Sequence, residues 1–97
     1  MNNNLELHEL AEQELWEAVD WYDSKKNRLG KEFARELQEI MQTIRKFPMR
    51  YPKVHKEIRK AVLKRFPYVV IYEIQKDTVF VLSIFHTSRN PKTWKNR

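Results

Sequence analysis

Cysteine is absent from this chain of 97 residues, which excludes a disulfide framework and a thiolate metal site. Glycine occurs once, at Gly30, so there is no Gly-rich loop to cradle a phosphate. Long apolar runs are missing too. The longest fall far short of the ~20 residues that span a bilayer, so no membrane is expected. Met1-Asn2-Asn3-Asn4 lacks the basic and apolar regions of a signal peptide, and together with the lack of cysteine this leads to the expectation of a cytoplasmic protein. His8, His55 and His86 do not have metal-ligand spacing. Neither a metal nor another cofactor is expected. Ser24, Ser83 and Ser88 lack the strand–turn–helix setting of a nucleophile elbow. A chain this short is expected to form one domain over residues 1–97, with a thin core that removes only about 60–70% of the unfolded surface from water.

What the sequence does have is positive charge, unevenly placed. Residues 1–45 hold 6 Lys/Arg and 10 Asp/Glu, a net of −4, whereas residues 46–97 hold 13 Lys/Arg and 3 Asp/Glu, a net of +10. A basic half of this kind attracts phosphate backbones or acidic protein partners.

Apolar periodicity divides the chain into elements. Leu5 and Leu7 alternate with polar neighbours and predict a short strand from Asn4 to His8. Leu10, Leu15, Ala18, Val19 and Tyr22 recur at helical spacing and predict a helix from Glu9 to Ser24. Glu9, Glu12 and Glu14 load its first turns with the charge that a helix N-terminus favours. Trp16 and Trp21 sit partly off this stripe and are expected to widen it into the core, the other reading being that they face a partner. After the polar Lys25–Arg28, a second stripe of Leu29, Phe33, Leu37, Ile40, Ile44 and Phe47 predicts a helix from Leu29 to Lys46, stopped by Pro48. The short connection makes the two helices a hairpin over a common core.

Phe47 to Pro52 reads as a loop, because two prolines four residues apart forbid a regular element. From Lys56 the pattern is that of strands. Ile58, Lys60, Val62 and Lys64 point one way and Arg59, Ala61, Leu63 and Arg65 the other. Phe66-Pro67 marks a turn, Tyr68–Ile74 a β-branched strand, Gln75-Lys76-Asp77 a hairpin turn, and Thr78–Phe85 a central strand. Pro91 is placed to open a brief terminal helix over Lys92–Asn96. The fold class is α+β: a short N-terminal strand and an α-helical hairpin packed on one face of an antiparallel sheet, in the order β-α-α-β-β-β.

The residues able to do chemistry are basic and aromatic and gather in the sheet half. Arg59, Arg65, His86 and Arg89 come from one strand and the ends of two others, with Lys53, Lys56, Lys60 and Lys64 around them and Tyr51, Tyr68 and Tyr72 interleaved. Arginine on a rigid strand suits bidentate phosphate binding, and an aromatic face stacks a splayed base. A solvated sheet edge, where lysine discourages edge-to-edge pairing, accounts for the lysines equally well.

Several blocks together resemble the RelE/ParE toxin superfamily over nearly the whole chain. They are Ala11-Glu12-Gln13-Glu14-Leu15 leading to Trp21-Tyr22; Phe47-Pro48 and Tyr51-Pro52; Ile58-Arg59; Phe66-Pro67-Tyr68-Val69-Val70-Ile71-Tyr72; and Ile84-Phe85-His86-Thr87-Ser88-Arg89-Asn90-Pro91. The resemblance implies the toxin of a type II toxin–antitoxin module, with a cognate antitoxin protein as partner. ParE-like members inhibit DNA gyrase; RelE-like members cut messenger RNA on the ribosome without a metal. Such cleavage needs a base, cations for the phosphorane and an acid, for which this chain offers Glu57 or His86 as base or acid and Arg59 and Arg65 as clamps. RelE-like nucleases often carry a tyrosine near the C-terminus, whereas here the last tyrosine is Tyr72 and the terminal aromatic is Trp94. The resemblance therefore leans to the ParE-like branch. Residues expected to bind the target or the antitoxin are Arg59, Lys60, Lys64, Tyr72, His86, Arg89 and Trp94.

Overall fold

The computed structural model describes residues 3–88. Strand β1 (Asn4–Leu7) leads into α1 (Glu9–Lys25) and α2 (Leu29–Lys46). Four strands follow: β2 (Lys53–His55), β3 (Ile58–Val62), β4 (Tyr68–Gln75) and β5 (Thr78–His86). They form one five-stranded sheet in the order β1-β5-β4-β3-β2. The α+β reading holds, with two additions. The short β2 arises within the stretch after Pro52, and β1 joins β5 in parallel while every other pair is antiparallel. The parallel pairing follows from the crossover. The helical hairpin carries the chain over one sheet face before the antiparallel strands begin.

The helices meet closely at Gly30. A Cβ there would run into the Val19 carbonyl oxygen and lie 2.7 Å from Asp23 Oδ1. Asp23 Oδ1 in turn accepts the Gly30 N–H at 2.8 Å, satisfying one of the amides a helix start leaves open. Residues Ala11, Ala18 and Tyr22 of α1 and Phe33, Leu37 and Ile44 of α2 pack onto Ala61, Tyr68, Val70, Tyr72, Val79, Val81 and Ile84 of the sheet. Alternation along β4 sends Val69 and Ile71 to the opposite face, where they meet Leu82, Ile58, Phe80 and Phe85. The β4–β5 ladder slips between Ile71 and Tyr72, leaving Leu82 as the extra residue of a bulge.

Three expectations are corrected. Trp16 and Trp21 do not widen the core; they are 57% and 54% exposed, because the line through Ala11, Ala18 and Tyr22 already faces the sheet. Phe47 is not part of the α2 stripe. It caps the helix in a non-helical conformation and is 51% exposed. Tyr72, expected at a binding surface, is wholly buried beneath the α2–β2 loop. The expected terminal helix lies outside the described residues.

Candidate functional site

β4 positions the candidate residues, because its two helix-facing tyrosines each stand opposite a potential cation. Register places Arg59 of β3 against Tyr72 and His86 of β5 against Tyr68. The two tyrosines are four residues apart, about 13 Å along a strand. Arg59 and His86 are therefore held at separate ends of the sheet.

At the first end the chemistry is structural. Arg59 Nη1 donates to the carbonyl oxygens of Tyr51 at 2.6 Å and Met49 at 3.3 Å, and Nη2 lies 3.2 Å from Met49 Sδ. Tyr72 Oη donates to the Pro48 carbonyl at 2.7 Å. Its ring meets Tyr51 edge-on, with centroids 6.4 Å apart. Burial pushes the Tyr72 hydroxyl up to about 12, against the pull of Arg59 in the other direction, so near neutral pH it is a fixed donor. Arg59 and Tyr72 together fasten the loop that follows Pro48.

At the second end the described residues form a pocket. The His86 ring lies 5.4 Å from Tyr68. Its Nδ1 accepts the Ser88 N–H at 3.1 Å and is 2.7 Å from Ser88 Oγ. Because a backbone amide only donates, the proton of the neutral ring belongs on Nε2. His86 lines a pocket of about 390 Å³ with Glu14, Glu17, Trp21, Tyr68 and Ser88. Glu14 Oε1 also accepts from the buried Ser83 hydroxyl and from the Ile84 N–H, both at 2.8 Å, which ties α1 to the β5 bulge.

The remaining candidates are dispersed. Arg65 pairs with Glu32 of α2 at 2.9 Å, and that bond holds the Glu32 carboxyl below its usual range. Glu36 accepts the backbone amides of Lys64, at 2.6 Å, and Arg65, at 3.2 Å, and so anchors the β3–β4 turn to α2. Glu57 forms an exposed ion pair with Lys53 at 3.1 Å. Lys60 stands opposite Ile71 and shares its face, away from the helices and from Arg59. Arg65 and His86 line different pockets. Arg89 and Trp94 lie outside the described residues. The tethering roles of Glu14 and Glu36 escaped sequence reasoning, since a carboxylate's partner 69 or 28 residues away leaves no local pattern.

Residues 5–91 match the family model described as the ParE toxin of type II toxin-antitoxin system, parDE. The chain belongs to the ParE toxin family. The ParE match runs from β1 through β5 and so takes in every element that builds the two ends of β4. Among solved structures, a chain described as the chromosomal ParDE TA system from P. aeruginosa superposes with a TM-score of 0.79 at 14% identity. The match covers 89% of this chain and 97% of that one, and at such identity it speaks for the fold alone. Curated protein sequences yield no significant match. Among the described residues, no helix is long and apolar enough to cross a membrane.

Proposed function

We propose that this ParE-family toxin works by binding rather than by cutting RNA: it inhibits DNA gyrase in the cytoplasm and is neutralised by a cognate antitoxin. The observation that carries this reading is that the four residues a nuclease of this scaffold could use are engaged by other groups or set apart. Metal-free cleavage needs base, acid and cations within hydrogen-bond reach of one phosphate. Arg59 is instead engaged by two backbone carbonyls, Arg65 by Glu32 and Glu57 by Lys53, and His86 lies at the far end of β4 from Arg59. The net charge of +10 over residues 46–97 supports an acidic antitoxin, steered in over a range that salt shortens.

Purified gyrase supplies the test. With toxin added, cleaved DNA is expected to accumulate; supercoiling left unaltered by excess toxin would end the proposal. Transcript ends mapped in a translating extract form the second arm. New cuts that vanish with His86→Ala would favour the ribosome and its mRNA as the target.

A further inference from the structure

The sheet half of the sequence interleaves tyrosine with lysine, a pattern that suits stacking on splayed bases, but the fold separates the two. Tyr68 and Tyr72 are buried on the helix side of the sheet, and the Tyr51 ring packs edge-on against Tyr72. What stays at the surface is basic. Residues 52–57 are exposed throughout, and they make up β2 and the turn into β3 at one edge of the sheet.

Residues 45–60 hold seven Lys/Arg against one acid, Glu57. Three of the seven are engaged: Arg45 by the Asn3 carbonyl oxygen, Arg59 by those of Tyr51 and Met49, and Lys53 by Glu57. The other four differ. Among the described residues, the ammonium groups of Lys46, Lys56 and Lys60 meet no carboxylate or carbonyl oxygen. The Arg50 guanidinium lies 4.5 Å from the Phe47 ring centroid, a contact with a ring rather than with a hydrogen-bond acceptor.

These charges stand on a fixed frame. Arg50 is carried by the α2–β2 loop, which is pinned by Tyr72 Oη at Pro48 and by Arg59 at Met49 and Tyr51. Lys60 is held in β3 opposite Ile71. A frame already in place keeps the ordering cost of binding low. The lack of stacking faces selects among polyanions. Reading a single strand calls for exposed aromatic rings. Among the described residues, Phe47 is the one exposed aromatic side chain on this edge, and Arg50 already lies over it.

We propose that the α2–β2 loop and the β2–β3 hairpin grip the phosphates of a DNA duplex through Lys46, Arg50, Lys56 and Lys60, so that the toxin touches DNA as well as enzyme in the inhibited gyrase complex. Affinity comes from released counterions, without reading of base sequence. The role in the gyrase complex rests on the inhibition proposed above, whereas duplex binding stands apart from it.

Fluorescence anisotropy of two short labelled duplexes of unrelated sequence, titrated with toxin free of antitoxin, measures the grip. The two are expected to bind within twofold of each other, with a log–log salt slope of about −3.5 for four phosphate contacts. Lys56→Gln combined with Lys60→Gln is expected to weaken binding at least tenfold and to flatten the slope by about 2, with the melting temperature unchanged. Lys25→Gln combined with Lys26→Gln, the same change of net charge at the end of α1, should stay within twofold of wild type. With gyrase present, the Lys56/Lys60 double variant should accumulate at least fivefold less cleaved DNA. Gyrase inhibited by a toxin with no affinity for duplex overturns the grip and leaves the gyrase reading standing. Duplex binding beside unaltered gyrase upholds the grip and ends that reading. An equal loss in both double variants reduces the contact to net charge, and tighter binding of single-stranded RNA than of duplex replaces DNA as the occupant; either result overturns the proposal.

Discussion

The two ends of β4 look alike in sequence, each a tyrosine with a potential cation opposite, yet they do different work. At the Tyr72 end the cation is enclosed by carbonyl oxygens, the hydroxyl is bonded to Pro48, and the pair holds up a loop. At the Tyr68 end the aromatic ring belongs to a cluster with Tyr22, Phe33 and Phe66, and His86 is left half-buried beside a pocket. A Tyr–cation pair is therefore no signature of a site. What decides its role is whether the cation's donors are already satisfied by the backbone.

The largest effect should come from the cluster under Tyr68. Phe33 is wholly buried, with ring centroids 4.9 Å from Tyr68 and 5.3 Å from both Tyr22 and Phe66. Phe33→Ala is expected to lower unfolding free energy by about 3–5 kcal/mol in urea denaturation. That is a large share of a small domain's stability, typically ~5–15 kcal/mol. A cost under about 1 kcal/mol would mean the cluster does not support that end of the strand.

Arg59 comes next and tests the other end. Its hydrogen bonds to Tyr51 and Met49 are charge-assisted, so Arg59→Ala should cost about 1.5–3 kcal/mol. Arg59→Lys should recover only part of this, since one ammonium does not reproduce the guanidinium fork. Proteolysis should also begin to nick the freed loop around Met49. A variant as stable and as protease-resistant as wild type would return Arg59 to the pool of residues available for a target.

How much of this was legible beforehand follows from which interactions are local. The helices, the strands from Ile58 onward and the α+β class come from apolar periodicity, which burial on one face imposes directly on the sequence. The opposite orientations of Lys60 and Arg59 are a matter of alternation alone, and the structure keeps them. The fate of Tyr72 was not legible. Its burial depends on the α2–β2 loop folding back 24 residues away, and nothing in Tyr68–Ile74 encodes that. β2 escaped for the same reason, being three exposed residues between prolines and a turn. Glu57, Arg59, Arg65 and His86 could be named as chemically able, but the distance of His86 from Arg59 is a property of register, and the partners that engage Arg59, Arg65 and Glu57 come from the α2–β2 loop, α2 and β2.

Tyr72→Phe has a smaller effect than Arg59→Ala and adds a pH dependence. Removing the hydroxyl leaves the Pro48 carbonyl without its donor, at a cost of about 1–1.5 kcal/mol. In the wild type, burial raises the folded pKa to about 12 from an unfolded value near 10. The unfolded chain thus releases this proton first. The associated stability is fully present below pH 10 and lost as pH rises from there through about 12. Denaturation between pH 9 and 12 should show that slope in wild type and a shallower one in Tyr72→Phe. Equal slopes would place the alkaline loss at other groups, Tyr22 among them, whose pKa is also raised by burial.

The smallest expected change in stability is at His86, and it bears most on what the Tyr68 end of β4 is for. Among the described residues, the ring gives the fold one edge-on contact with Tyr68 and a local bond from Ser88, neither of which fixes a distant segment. His86→Ala should therefore cost less than about 1.5 kcal/mol, the upper value for an aromatic pair. A residue this dispensable to folding, set with Trp21 and Glu17 in a pocket, is free to serve recognition. With stability preserved, any loss of gyrase inhibition in His86→Ala is attributable to the interface, and inhibition assays on folded protein measure it without the ambiguity that attends Arg59. If His86→Ala instead unfolds the protein as Phe33→Ala does, the contrast between the two ends of β4 collapses, because both would then be parts of the scaffold.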